Sequence, residues 1–195
     1  MNHYLDIRIL PDPEFAAPLL FNALYAKLHR TLAEQQRSDI GASFPGYALA
    51  HRNAEGKAQP PSLGTQLRLH GSDAALEALM ASNWLHGMRD HLALGTIQPV
   101  PPGASYLRVQ RKQARSSPTR ERDRLMRRKG ISEAEARQRI PDHRAQRLDL
   151  PYLTLNSQST GQRFCLFITQ HAAPQAASGI FNSYGLSPTA TLPAF

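Results

Sequence analysis

Residues 119–130, TRERDRLMRRKG, hold five arginines and a lysine in twelve positions. A guanidinium is a planar, permanently charged fork that can grip two phosphate oxygens, or the O6 and N7 edge of guanine, at once. On a helix, at about 100° per residue, Arg120, Arg124, Arg127 and Arg128 fall within an arc of roughly 100°. Only Glu121 and Asp123 are at hand to neutralise the six cations. A stripe so short of carboxylates repels itself unless an outside anion binds, which favours a nucleic-acid-binding helix over a merely solvated one. Just upstream, Arg111 and Gln113 stand two apart on an extended stretch and so project from one face. Arginine suits guanine and glutamine suits adenine, the requirements of a two-base reader.

The charge is confined as well as large. The chain of 195 residues carries +8, but residues 107–147 alone hold 14 basic and 5 acidic side chains, leaving the rest at −1. Solubility would be served by spreading the excess, so one basic surface for a polyanionic partner is the better reading. The single Cys165 excludes an intramolecular disulfide and a cysteine-based zinc site. No apolar run approaches the ~20 residues that span a bilayer, and MNHYLDIRILPDPEF is too broken by charge and proline for a signal peptide. A cytoplasmic protein with no membrane role is expected.

Other side chains could do chemistry, but spacing alone assigns them none. His29 follows Tyr25 by one turn at the edge of an apolar stripe, where a ring can pack and still reach solvent. Ser157 and Ser159 flank Gln158, a pattern typical of solvent-facing or backbone-capping positions, and Tyr184 would ordinarily be a core aromatic with a wet hydroxyl. RDH (89–91) and PDH (141–143) lack the spacing of a metal site, and no G-x-S-x-G elbow occurs.

The elements that must position these residues follow from periodicity. HYLDIRI (3–9) alternates as a half-buried strand. Phe21, Leu24, Leu28 and Leu32 mark an amphipathic helix from Glu14 to about Gln35. DIGASFPGYAL (39–49) reads as a second strand, HRNAEGKAQPPSLG (51–64) as a polar loop and TQLRLHG (65–71) as a third strand. Ser72 caps a helix through Leu76, Leu79 and Met80, followed by an apolar patch at Trp84 and Leu85, and GTIQPV (95–100) is the fourth strand. The order β-α-β-β-α-β is that of a ferredoxin-like domain, closing at Pro101–Gly103. No aromatic stands on TQLRLHG to stack a base, and no RNP1 pattern occurs, so this sheet is not the RNA platform.

Beyond the boundary, SYLRVQRKQ (105–113) is extended. Ser117 is a fair N-cap for the basic helix, Pro118 fits its first turn and Gly130 its C′ position. Ser132 and Glu135 are spaced as the capping box of a second short helix that Pro141 stops. A hairpin turning at 159–161, and one more strand in GIFNSYGLS, complete the chain. The fold class is α+β: a ferredoxin-like domain (1–103) and a C-terminal α/β domain (104–195) with the arginine-rich helix.

MNHYLDIRILPDPEF, the KLHR around His29, LMRRKGISEAEARQRIP, LDLPYLTLNSQSTGQRF and SYGLS together closely resemble the type I-F CRISPR-associated endoribonuclease family, which cuts precursor CRISPR RNA at its repeat hairpin. The likeness runs end to end and is thinnest over 40–63 and 172–180. It implies that Arg120, Arg124, Arg127, Arg128 and Lys129 face the major groove of the RNA stem. A-form RNA admits side chains there only near an accessible helix end, which a short hairpin offers. The helix departs from the family pattern at Asp123, where arginine is expected, and at Lys129, where histidine is.

The same resemblance implies that Arg111 and Gln113 read bases at the foot of the stem, that Phe164 stacks on the terminal base pair and that Ser159 contacts RNA. It implies a metal-independent reaction without cofactor, in which a ribose 2′-hydroxyl attacks the adjacent phosphorus and leaves a 2′,3′-cyclic phosphate and a 5′-hydroxyl. His29 would move the proton, a task suited to a side-chain type that titrates near neutrality. Ser157 would hold the attacking hydroxyl, and Tyr184 would orient the imidazole or the phosphate. The implied partners are the repeat hairpin, the mature CRISPR RNA and other subunits of the type I-F interference complex. The alternatives are a non-catalytic RNA-hairpin-binding subunit and a DNA-binding regulator.

Overall fold

The structure, a computed structural model, describes residues 1–113, 118–141, 148–157 and 161–195, with residues 118–120 described by backbone alone. In chain order the elements are β1 (His3–Ile9), α1 (Ala17–Glu34), β2 (Gly41–Ser43), β3 (His51–Arg52), β4 (Ala58–Gln59), β5 (Gln66–Gly71), α2 (Asp73–Ala81), β6 (Leu92–Leu94) and β7 (Gln98–Pro99). Then come β8 (Ser105–Lys112), α3 (Pro118–Lys129), α4 (Glu133–Arg139), β9 (Tyr152–Asn156), β10 (Arg163–Ala173) and β11 (Leu192–Ala194). The fold is α+β. Among the described residues no helix is long and apolar enough to cross a membrane.

The chain parts into two compact units, Met1–Lys112 with Leu150–Phe195, and Gln113–Asp149. Within the first, one sheet runs β2-β5-β1-β6, every pairing antiparallel, and all its strands precede Pro101. Leu5, Ile7 and Ile9 point inward with Leu67 and Leu69, against the α1 stripe of Phe21, Leu24, Leu28 and Leu32. At ~25 cal/mol per Å² of apolar surface removed from water, this packing is what fixes α1 on the sheet. The helix starts at Ala17 rather than Glu14 because the Asp12 carboxylate accepts the amides of Glu14 and Phe15, holding them in a turn.

The expected fourth strand differs. Leu92–Leu94 pairs with Ile7–Ile9, and Gln98–Pro99 pairs with His3–Tyr4, so two short strands share one edge of β1. Between them the Gly95 amide donates to the Asp6 carbonyl at 2.8 Å. The second strand is only three residues long, since Pro45 and Gly46 turn the chain. The 51–64 loop carries a two-residue hairpin, β3 with β4, closed by Asn53.

The second sheet of this unit runs β11-β8-β10-β9, antiparallel throughout. Its edge strand β9 lies against α1: Asn22 Oδ1 accepts the Thr154 amide at 2.9 Å, satisfying an edge donor that no strand reaches. Gln170 is bonded to both the amide and the carbonyl of Phe44, tying β10 to the end of β2. GIFNSYGLS forms turns rather than a strand; the last strand is Leu192–Ala194.

In the second unit α3 ends at Lys129, with Gly130 at φ +62° in the C′ position. Ser132 and Glu135 make the capping box of α4, which stops before Pro141. Arg122 is buried, and its Nε donates to the Ile140 carbonyl at 2.7 Å, joining α3 to the end of α4. Ser117 lies outside the described residues.

Candidate functional site

His29 sits on α1 beside the buried stripe, half-buried, because one turn of helix carries it just past Tyr25 and Leu28. Its Nδ1 lies 3.0 Å from the Ser183 carbonyl oxygen. A carbonyl can only accept, so Nδ1 carries the hydrogen and, in the neutral ring, Nε2 holds the free lone pair. The Tyr184 ring stacks on the imidazole, centroids 3.8 Å apart and planes 9° from parallel.

The turn that delivers Ser183 and Tyr184 is built by Asn182, whose side-chain oxygen accepts the amides of Tyr184 and Leu186. Gly185 adopts φ +69°, and a Cβ there would meet Ala42 Cβ at 3.0 Å. Its carbonyl accepts the Ala42 amide, pinning the turn to β2. From below, the Tyr25 hydroxyl donates to the Tyr184 carbonyl at 2.6 Å. Tyr25 is fully buried, and burial, then the neighbouring Tyr184, pushes its hydroxyl far up, so it stays a donor.

Ser157 follows β9 at the mouth of the β9–β10 hairpin: its amide donates to the Gln162 carbonyl and its own carbonyl accepts the Gly161 amide, both at 2.8 Å. Ser157, Phe164, His29 and Tyr184 line one groove of about 310 Å³. Arg111, opposite Ile168 on β10, places its guanidinium 5.8 Å from the Phe164 ring centroid and 5.9 Å from that of Tyr184. Both distances are within cation–π range. Five residues singled out from the sequence thus meet in one place.

Others do not join this cluster. Gln113 lies just beyond the end of β8 and belongs to the second unit, with α3. On α3, Arg124, Arg127, Arg128 and Lys129 are exposed, and Arg124, Arg127 and Arg128 line a shallow basic face with Asp123. The Arg120 side chain and Ser159 lie outside the described residues. Sequence reasoning missed Arg30, Asn156 and Arg163. Arg30 and Asn156 line the His29 groove, and Arg163 pairs with Asn156 across the hairpin. Strand register was the signal for the last two, since period 2 sets Asn156 on the face opposite buried Leu155.

A family model described as CRISPR-associated protein (Cas_Csy4) matches residues 4–195. A protein of Pseudomonas aeruginosa (strain UCBPP-PA14) named "CRISPR-associated endonuclease Cas6/Csy4" is 49% identical over 197 residues, covering 100% of both chains. One of the same name from Escherichia coli (strain UTI89 / UPEC) is 42% identical over 196 residues, again covering 100% of both. A solved structure described as "An RAMP protein binding different RNA substrates" shares 10% identity over 98% of this chain and 99% of its own at a TM-score of 0.35, too low to bear on fold or function. With a family match across nearly every residue and two full-length relatives above 40% identity, the chain belongs to the Csy4 family of CRISPR-associated proteins.

Proposed function

We propose that the protein is an endoribonuclease that matures CRISPR RNA by cutting the precursor at the foot of its repeat hairpin, without a metal ion. The 2′-oxygen of one ribose bonds to the adjacent phosphorus as His29 takes its proton. The bond from phosphorus to the next 5′-oxygen breaks, and that oxygen gains a proton. A 2′,3′-cyclic phosphate and a 5′-hydroxyl result. The observation that carries this reading is the Nδ1–Ser183 hydrogen bond, which leaves Nε2 as the basic nitrogen of an imidazole that lines a groove with Ser157. The flat stack with Tyr184 supports orientation of the ring as that residue's role, and Ser157 is assigned to the attacking hydroxyl.

Phe164 would stack on the terminal base pair, with Arg111 beside it reading a base and Gln113 reading another. Arg120, Arg124, Arg127, Arg128 and Lys129 would hold the stem, and Ser159 would add an RNA contact. A histidine-bearing ferredoxin-like domain (1–103) is supported by the strand order β2-β5-β1-β6, and residues 104–195 would be the RNA-binding domain. That strand order is the one a split βαβ repeat requires. A grip on the product as firm as on the substrate would keep the protein on the 3′ hairpin as a subunit of the interference complex. The test is to incubate the purified protein with its own repeat RNA in EDTA and analyse the ends. A cyclic phosphate at a single position is expected; RNA that is bound but left whole would assign the non-catalytic role.

A further inference from the structure

Two grooves open on His29 and meet at four residues. One, of about 310 Å³, runs on to Phe164 and Tyr184, and the other, of about 480 Å³, runs on between α1 and β9; His29, Arg30, Asn156 and Ser157 line both. With the proton assigned to His29 and the attacking hydroxyl to Ser157, Arg30 and Asn156 have no part. Adjacent residues of a helix point about 100° apart, so Arg30 reaches the grooves from the next face of α1. Its neighbours at i−4 and i+3 are Ala26 and Ala33, which are too small to cover it, and the arginine is exposed.

Charge sets Arg30 apart. Among the described residues lining the smaller groove it is the one fixed cation and Glu34 the one carboxylate. Glu34 stands at i+4, yet no ion pair engages Arg30 among the described residues. Without Arg30 the wall would carry the Glu34 charge alone and repel a phosphate. The proposed reaction sharpens that need. As the 2′-oxygen bonds to phosphorus and its proton passes to His29 Nε2, the single negative charge of the phosphate grows toward two; then the bond to the 5′-oxygen breaks, and that oxygen takes a proton from water. A cation fixed where charge develops lowers the barrier, and the part of its attraction that appears only in the transition state raises the rate and not the grip. The Arg111 guanidinium is engaged elsewhere, over the rings of Phe164 and Tyr184.

We propose that Arg30 is a catalytic residue: its guanidinium pairs with the non-bridging oxygens of the scissile phosphate and stabilises the second negative charge as it forms. The inference rests on the proposed endoribonuclease reading. A guanidinium neither gives nor takes a proton in such a site, so the route from the 2′-hydroxyl to His29 is unaltered. The phosphate stays on the hairpin as the cyclic phosphate, singly charged before and after cutting. Arg30 therefore holds substrate and product alike, in accord with an equal grip on both.

The test measures single-turnover cleavage at saturating repeat RNA, together with affinity for the cyclic-phosphate product and for an uncuttable substrate with a 2′-deoxyribose at the cut. Arg30→Ala should slow cleavage about 30-fold, less than the ~10²–10³ of an enclosed oxyanion donor because Arg30 is exposed. Affinity for the two RNAs should fall by one common factor of no more than about fivefold, the scale of an exposed ion pair. Arg30→Lys keeps the charge and should recover most of the rate, and free guanidinium ion should speed Arg30→Ala. A substrate with sulfur at one non-bridging oxygen of the scissile phosphate adds a readout that a merely structural role would not move. The unaltered protein should cut its two diastereomers at different rates, and Arg30→Ala should narrow the difference. Cleavage by Arg30→Ala at the unsubstituted rate, a lysine no faster than the alanine, an undiminished diastereomer preference, or an affinity loss confined to the uncut RNA would each overturn the proposal. Failure of the unaltered protein to cut its repeat RNA would instead strike the endoribonuclease reading itself.

Discussion

The imidazole of His29 and the ring of Tyr184 lie face to face, 3.8 Å between centroids and 9° from parallel, while the imidazole Nδ1 is bonded to the carbonyl immediately before Tyr184. One turn of chain thus fixes the ring plane and the tautomer together. If positioning is the role of Tyr184, the ring matters more than its hydroxyl. Tyr184→Ala should slow single-turnover cleavage by about 10²-fold, the scale expected when a reacting group is displaced by an ångström. Tyr184→Phe should cost far less. Equal losses in the two variants would assign the work to the hydroxyl.

The turn itself depends on Gly185. Its φ of +69° disfavours any Cβ, and the space is already taken by Ala42. Gly185→Ala should lower stability by about 1–3 kcal/mol, as strain at a left-handed residue does, and slow cleavage in step with Tyr184→Ala. Thermal unfolding and a single-turnover assay check both. Full activity with reduced stability would separate the turn from the chemistry.

Arg122 and its neighbours on α3 should behave oppositely. Arg122 is buried and bonded to Ile140, so Arg122→Ala should cost about 1–3 kcal/mol of local stability, read as faster amide exchange in α4. It should leave the salt slope of RNA binding unchanged. Arg124→Ala with Arg128→Ala should lower that slope by about 0.7–0.9 per lost contact and leave amide exchange alone. An unchanged slope in the double variant would remove these arginines from the phosphate contacts.

His70, fully buried against Ser43, makes acid stability legible. Burial, and then Arg68, push its imidazole down to about 3 against the pull of Asp6. Between about pH 6.5 and 3 the unfolded chain binds a proton that the folded one refuses. Stability from this residue is therefore intact above pH 6.5 and falls as pH drops, by up to ~1.4 kcal/mol per unit. His70→Gln should flatten the dependence between pH 6 and 4 in denaturant titrations. A slope as steep as that of the unsubstituted protein would contradict the assignment.

Much of the frame was legible because local rules and packing agreed. The α1 stripe is buried residue for residue, Gly130 and the Ser132–Glu135 box end and start helices where expected, β1 and β5 stand where alternation put them, and β8 fills the stretch read as extended. Misreadings fall where a side chain or a close approach overrode periodicity. Asn182 captures two amides and bends what reads as a strand. Gly95 meets the Asp6 carbonyl and splits the fourth strand in two. The site lies beyond local reading. His29, Ser157 and Tyr184 come from distant parts of the chain and share a wall through contacts far apart in sequence, among them Asn22 with Thr154, Gly185 with Ala42 and Tyr25 with Tyr184.

In the proposed reaction His29 moves the proton and does little else, so single-turnover cleavage and hairpin affinity of His29→Ala, measured side by side, should part company. Cleavage should fall by at least ~10²-fold, the low end for a general base, with affinity within about twofold of the unsubstituted protein. Cleavage at the unsubstituted rate, or a loss of cutting matched by an equal loss of binding, would contradict it.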